Sequence, residues 1–176
     1  MVKDSCCDPD PAELSDVPAG VNIYPNPDYL HLASHVTIYR ATPNPKDIGP
    51  DGRLTHRAFR AREGDPTDPA SGDKDGLSCL RTRLVEPQHI QRHTRIKPEG
   101  LGVSTVARIE QIASVMDIAK NLGVFCTSYE QATCDPHCVI WNMGVVAKGQ
   151  SPTEEQKQMM IDIAECFSAA AVPEQV

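Results

Sequence analysis

The sequence predicts an α+β fold, a single domain with a mixed or antiparallel sheet of about five strands and two long helices. Three observations carry that expectation. Segments with period-two alternation flank the helical segments instead of regularly alternating with them, which argues against a doubly wound sheet. Two stretches of the second half place apolar residues at steps of three and four behind good cap residues. The length of 176 residues suits one domain with its own core, and no internal repeat or second domain is visible.

The first twenty residues are poor in apolar pattern and rich in Asp and Pro, so residues 1–20 are expected to be a mobile tail and 21–176 the domain. Val21 to Pro27 reads as an extended lead-in. The first strong strand signal is His35 to Arg40, which Pro43 and Pro45 end before the Pro50-Asp51-Gly52 turn. Arg57-Ala58-Phe59-Arg60-Ala61-Arg62 alternates as a short edge strand would. Gly64 to Gly76 reads as a loop with nothing to bury. Leu77 to Val85 is a further strand, and a short helix starts near Pro87.

A helix is expected after Ser104 or Thr105, with Ile109, Ile112, Met116 and Ala119 on its apolar face and Gly123 as its stop. Val124 to Glu130 and Cys138 to Val146 are strands around a Cys134-Asp135-Pro136 turn. The last helix shows a capping-box pattern, Ser151 with Pro152 at the first helical position and Glu154 three residues on. Its apolar face is Met160, Ile163, Ala164, Phe167 and Ala171.

Bulk properties exclude some functional classes. No apolar run approaches the roughly 18 residues a membrane helix needs. The amino terminus lacks the apolar stretch of a secretory signal. Seven scattered cysteines fit reduced thiols better than a disulfide framework, and a cytoplasmic location is expected. A net charge of −7 argues against non-specific nucleic-acid binding by the whole surface. Aromatic residues make up only 5% of the chain, few for stacking bases, so nucleic acid ranks below a small phosphate-bearing ligand.

The strongest asymmetry is the charge distribution. Between Arg53 and Lys97 stand eight arginines and two lysines against six acids, in a chain that is acidic overall. Arginine dominates that segment, and its planar guanidinium grips phosphates and carboxylates with two parallel hydrogen bonds. Arg57, Arg60 and Arg62 lie near one expected strand, and Arg81 and Arg83 share a face of another. Tyr39-Arg40 closes the first strand, where ligand pockets often open. The expectation is an anionic ligand held by Tyr39, Arg40, Arg57, Arg60, Arg81 and Arg83; ordinary surface ion pairs on solvated strands are the bland alternative.

Arg40 on an early strand, Ser78 in the Gly76-Leu77-Ser78 strand start and His137 opening a late strand form a layout that resembles the ADP-ribosyltransferase-like enzymes and the RES-type domains that consume NAD. The resemblance spans Val36 to Trp141 and rests on these single positions. It implies that Arg40 holds a phosphate or ribose, that Ser78 buttresses the nicotinamide pocket, and that a late acid completes the site. Glu130 is the nearest such acid, which makes His137, Ser78 and Glu130 the catalytic candidates. The Tyr-Arg strand, the Ala-Phe pair, the Leu-Ser strand and the late His-initiated strand also resemble a group of short bacterial proteins.

Other motifs add little. Cys126, Cys134, His137 and Cys138 offer zinc-type ligands, but Cys134-x3-Cys138 is the one pair at ligand spacing, so no metal is assigned and Cys126 and Cys138 read as small core residues. Cys79 beside Ser78, with histidines at 35, 56, 89, 93 and 137, leaves a nucleophile open without the Gly-x-Ser-x-Gly elbow. Gly100-Leu101-Gly102 lacks the third glycine of a dinucleotide fingerprint, and His89 and His93 lack the glutamate of a zincin. No cofactor follows from the residues alone. Two functional classes remain: a domain binding an anionic nucleotide-like small molecule, with NAD-directed enzymology as its sharper form, or a non-catalytic module whose Gly64 to Gly76 loop and arginine strands contact an acidic protein.

Overall fold

The computed structural model describes residues 11–17, 30–63, 76–94, 96–112, 122–126, 136–141 and 143–173. Seven strands lie within them: Leu30–His31 (β1), Thr37–Thr42 (β2), Leu77–Arg81 (β3), Gly100–Thr105 (β4), Gly123–Cys126 (β5), His137–Trp141 (β6) and Ser168–Ala170 (β7). They form one sheet in the order β1-β5-β6-β3-β2-β4-β7, and every neighbouring pair is antiparallel. The helices are Ile90–Thr94 (α1), Val106–Glu110 (α2) and Glu154–Cys166 (α3).

The α+β class holds, with two corrections among the described residues. The sheet has seven strands, not five: Gly100–Thr105, not expected as a strand, is β4 and pairs along the whole of β2, the two- and three-residue edge strands β1 and β7 are too short to print a period, and the strand expected at Arg57 to Arg62 is absent. One helix, α3 with 13 residues, is long. The helix expected after Thr105 does start there, with the Thr105 hydroxyl accepting from the Arg108 amide, but α2 covers only five residues. Met116 and Ala119, on its expected apolar face, lie outside the described residues, as do the Val21 to Pro27 lead-in and all but the last residue of the Gly64 to Gly76 loop.

Arg57 to Arg62 is not an edge strand. His56–Phe59 forms a 3-10 turn, and Ala58 and Phe59, adjacent in sequence, are both buried, whereas an edge strand with one solvated face would bury only one of them. The cap of α3 is Thr153 rather than Ser151: its hydroxyl accepts from the Gln156 amide while the Gln156 side chain accepts from the Thr153 amide. Two Ser/Thr-x-x-Glu/Gln frames overlap there, and the second wins. Glu154 and Glu155 then place carboxylates in the first turn, where the helix dipole favours them.

Alternation along the strands sorts the core onto two faces. Ile38, Leu77, Cys79, Cys138 and Ile140 face a large cluster completed by Met159, Met160 and Ile163 of α3 and by Phe59 and Phe167, whose rings meet at 4.8 Å. Each buried Ile, Leu, Met or Phe side chain there contributes roughly 1.5–3 kcal/mol. Leu80 and Leu101 face the other way, against Val85, Ile90 and the half-buried Tyr39 and Ala41. No helix among the described residues is long and apolar enough to cross a membrane.

Residues 11–17, assigned above to a tail, pack against the sheet: the Ser15 amide donates to the His31 carbonyl at 3.1 Å and the Ala33 amide to the Glu13 carbonyl at 2.7 Å. Residues 1–10 and 18–20 of that tail lie outside the described residues.

Candidate functional site

β2 and β3 are hydrogen-bonded neighbours at only two positions, Ile38 with Arg81 and Tyr39 with Leu80. Both strands continue, β2 paired along its whole length to β4 and β3 paired to β6 from Leu77 to Leu80. Continuing the antiparallel register would set Arg40 opposite Cys79 and Ala41 opposite Ser78. Those pairings are missing, so the sheet splits there into a β1-β5-β6-β3 half and a β2-β4-β7 half.

A cavity of about 230 Å³ fills the split, lined by Tyr39, Arg40 and Ala41 of β2, Ser78, Cys79 and Leu80 of β3, His137 of β6, and Thr94 and Ile96 from the end of α1 and the residues after it. Arg40 bridges the divergence. Its Nη1 donates to the Ser78 carbonyl at 2.8 Å and its Nε to the Ala58 carbonyl, also at 2.8 Å. A guanidinium thus takes up carbonyl groups at the point where the ladder stops.

Ser78 and His137 point to the same face, since Leu80 pairs with His137 and Ser78 with Val139 one step along. Their side chains join by a hydrogen bond between Ser78 Oγ and His137 Nε2. Both residues are partly exposed. A hydroxyl that donates to an imidazole is a stronger nucleophile and acceptor than a lone serine, and the same pair can bind a ligand amide or hydroxyl without reacting. The remaining walls are largely apolar, formed by Tyr39, Ala41, Leu80 and Ile96.

The sequence-derived candidates therefore separate into three places. Tyr39, Arg40, Ser78 and His137 meet in the split. Arg57 and Arg60 line a different cavity of about 470 Å³, together with Lys46, His56, Arg62 and Lys157. Arg81 and Arg83 line neither: Arg83 makes a two-pronged contact with the Glu13 carboxylate at 2.7 and 2.9 Å, and the buried Arg81 approaches it at 3.4 Å. These two arginines fasten residues 11–17 to the sheet. Glu130 lies outside the described residues.

Cys126 and Cys138 are cross-strand partners in the core, 1% and 0% exposed, and Cys79 sits across from Cys138 on the other side. Cys134 is outside the described residues, and among those described no cluster of three or more metal-binding side chains occurs.

One constellation escaped the sequence reading. Ser15 Oγ and His31 Nδ1 are 2.8 Å apart, and His31 Nε2 contacts the Glu110 carboxylate, which also accepts from the Val124 amide at 3.2 Å. It looks like a serine–histidine–acid chain, but His31 is 4% exposed and the Ser15 amide is already committed to the His31 carbonyl. The chain ties the amino-terminal segment, β1, α2 and β5 together. Sequence separations of 16 and 79 residues leave no local signal for it.

Comparison with protein-family models, with curated proteins and with solved structures returned no match.

Proposed function

We propose that the protein binds a nucleotide-like ligand whose ring-bearing end enters the split between β2 and β3, where Ser78 and His137 meet it. The observation that carries this reading is the convergence of Arg40, Ser78 and His137, from three strands far apart in sequence, on one solvent-reachable cavity. Size sharpens it. A cavity of about 230 Å³ falls below the roughly 300–1,000 Å³ of sites that enclose a drug-sized ligand, so a single ring fits and a dinucleotide does not. Apolar walls with a few convergent polar groups are what a base or a nicotinamide-like ring requires.

In this reading Tyr39 and Leu80 flank the ring, and Ser78 with His137 addresses its amide or ribose hydroxyls. Arg40 shapes the pocket through its two carbonyl contacts, and its charge favours a phosphate at the rim. The sharper form is an NAD-directed enzyme in which His137 accepts the Ser78 proton or polarises the ligand. The layout resembling ADP-ribosyltransferase-like enzymes and the serine–histidine hydrogen bond support it.

Thermal denaturation with NAD, ADP-ribose and ATP tests the proposal. A ligand at 100 times its Kd adds about 2.7 kcal/mol, which raises Tm by roughly 5–10 °C for a chain of this length. The shift with NAD or ADP-ribose is expected to vanish in Ser78→Ala, a cleaner probe than Arg40→Ala because Arg40 also supports the fold. No shift with any nucleotide, alongside a stable complex with an acidic protein in pull-downs, would favour the interaction module instead.

A further inference from the structure

We propose that the cavity between the His56–Phe59 turn and the amino end of α3 is a second anion site, separate from the split, that takes a phosphate chain. It does not rest on the ligand proposed for the split. Five permanent cations line it, Lys46, Arg57, Arg60, Arg62 and Lys157, with His56 beside them. Against these stand two carboxylates, Asp47 and Glu154. Asp47 is buried and accepts a hydrogen bond from the Thr42 hydroxyl at 3.0 Å, which turns part of its charge inward.

Among the described residues Lys46, Arg57, Arg60 and Lys157 form no ion pair. That contrasts with Arg81 and Arg83, which share Glu13. In a chain of net charge −7 with 24 acidic residues, five cations gathered around one concave surface beside only two carboxylates repel one another, and an anion between them relieves that repulsion.

Arg60 shows how the site is built. Its Nη2 donates to the Gln150 carbonyl at 2.6 Å, which fixes the orientation of the guanidinium, while its Nε is buried with no hydrogen-bond partner among the described residues. The walls come from elements held by separate means: the turn carrying Arg57 is pinned through the Ala58 carbonyl by Arg40, and Lys157 rides on α3 behind its capping box. A cavity of about 470 Å³ has room for several phosphate groups, and donors from opposite walls suit a chain more than a single ion.

Isothermal titration with inorganic tripolyphosphate, and separately with a nucleoside triphosphate, tests the proposal. One saturable site is expected for tripolyphosphate. Arg57→Gln and Lys157→Gln remove exposed cations from opposite walls, and each is expected to weaken binding about tenfold or more. Arg108→Gln removes one exposed charge elsewhere and is expected to leave the affinity within about twofold, the size of a change in net charge alone. If one wall variant fails to fold, as judged by circular dichroism, the other carries the same prediction. Equal affinity for both ligands assigns the site to the phosphate chain alone; tighter nucleoside triphosphate binding adds a nucleoside contact to it. Absence of tripolyphosphate binding at millimolar concentration overturns the proposal, and so does a loss in Arg108→Gln as large as in the wall variants.

Discussion

The Arg40 guanidinium donates from Nη1 to the main-chain carbonyl of Ser78 across 2.8 Å, at the place where β2 and β3 cease to pair. One side chain thus substitutes for the missing ladder bonds and holds the candidate cleft open. Through Nε and the Ala58 carbonyl the same residue positions the turn that bears Arg57 and Arg60.

Arg40→Ala is therefore expected to lower stability before any ligand is considered. Two charge-assisted hydrogen bonds to partly buried carbonyls are lost, at roughly 1.5–3 kcal/mol each before water compensates. A net loss of about 2–4 kcal/mol corresponds to a fall in Tm of roughly 5–15 °C. Arg40→Lys recovers little, since one ammonium cannot span both carbonyls. A Tm within about 2 °C of the parent protein would show that the bridge is incidental.

Glu13→Gln tests whether residues 11–17 belong to the fold. The carboxylate serves both Arg83 and Arg81, and Arg81 is only 1% exposed. Removing one partner of a buried ion pair costs about 3–5 kcal/mol, because the remaining charge stays buried. Chemical denaturation should show a clear drop in midpoint with an unchanged slope. An unaltered midpoint would mean that the segment is an accessory.

Gly76→Ala probes the approach to Ser78. Gly76 has φ +102°, and a Cβ there would lie 2.5 Å from the Ile140 carbonyl oxygen, a main-chain atom that cannot swing aside. Strained φ alone costs about 1–3 kcal/mol, and the contact adds to it. The expectation is a destabilisation of at least about 2 kcal/mol, measured by urea unfolding. Loss of nucleotide binding along with it would follow from displacement of Ser78.

Cys166 should be a sluggish thiol. Burial pushes its pKa up, Asp162 and Glu165 add to the rise, and Arg108 opposes it. Its thiol donates to the Arg108 carbonyl at 3.3 Å. Since the thiolate is the reactive form, alkylation of Cys166 in the native protein should be slow at neutral pH and accelerate as pH rises past the ordinary thiol range. Peptide mapping of iodoacetamide-treated protein reads this out; rapid modification at pH 7 would contradict the placement.

Much of the split cleft was legible in the sequence because its residues sit on well-patterned strands. The β-branched run before Tyr39-Arg40, the apolar run around Ser78 and the strand opened by His137 all appear as strands. What failed was grouping by proximity along the chain. Arg57 and Arg60 lie close to Arg81 and Arg83 in sequence, yet Glu13, some 70 residues away, claims the latter pair. The period-two pattern of Arg57 to Arg62 also misled, because Ala58 and Phe59 bury together in a 3-10 turn. The short edge strands β1 and β7 exist through pairing with β5 and β4, and pairing leaves no trace in three residues of sequence.

The most direct test of the split-strand cleft is the imidazole spectrum of histidine-labelled protein titrated with ADP-ribose. The His137 ring resonances are expected to move saturably, and to stop responding in Ser78→Ala, while His56 in the basic cavity reports any second event separately. Saturable binding that leaves the His137 ring unmoved would contradict the account.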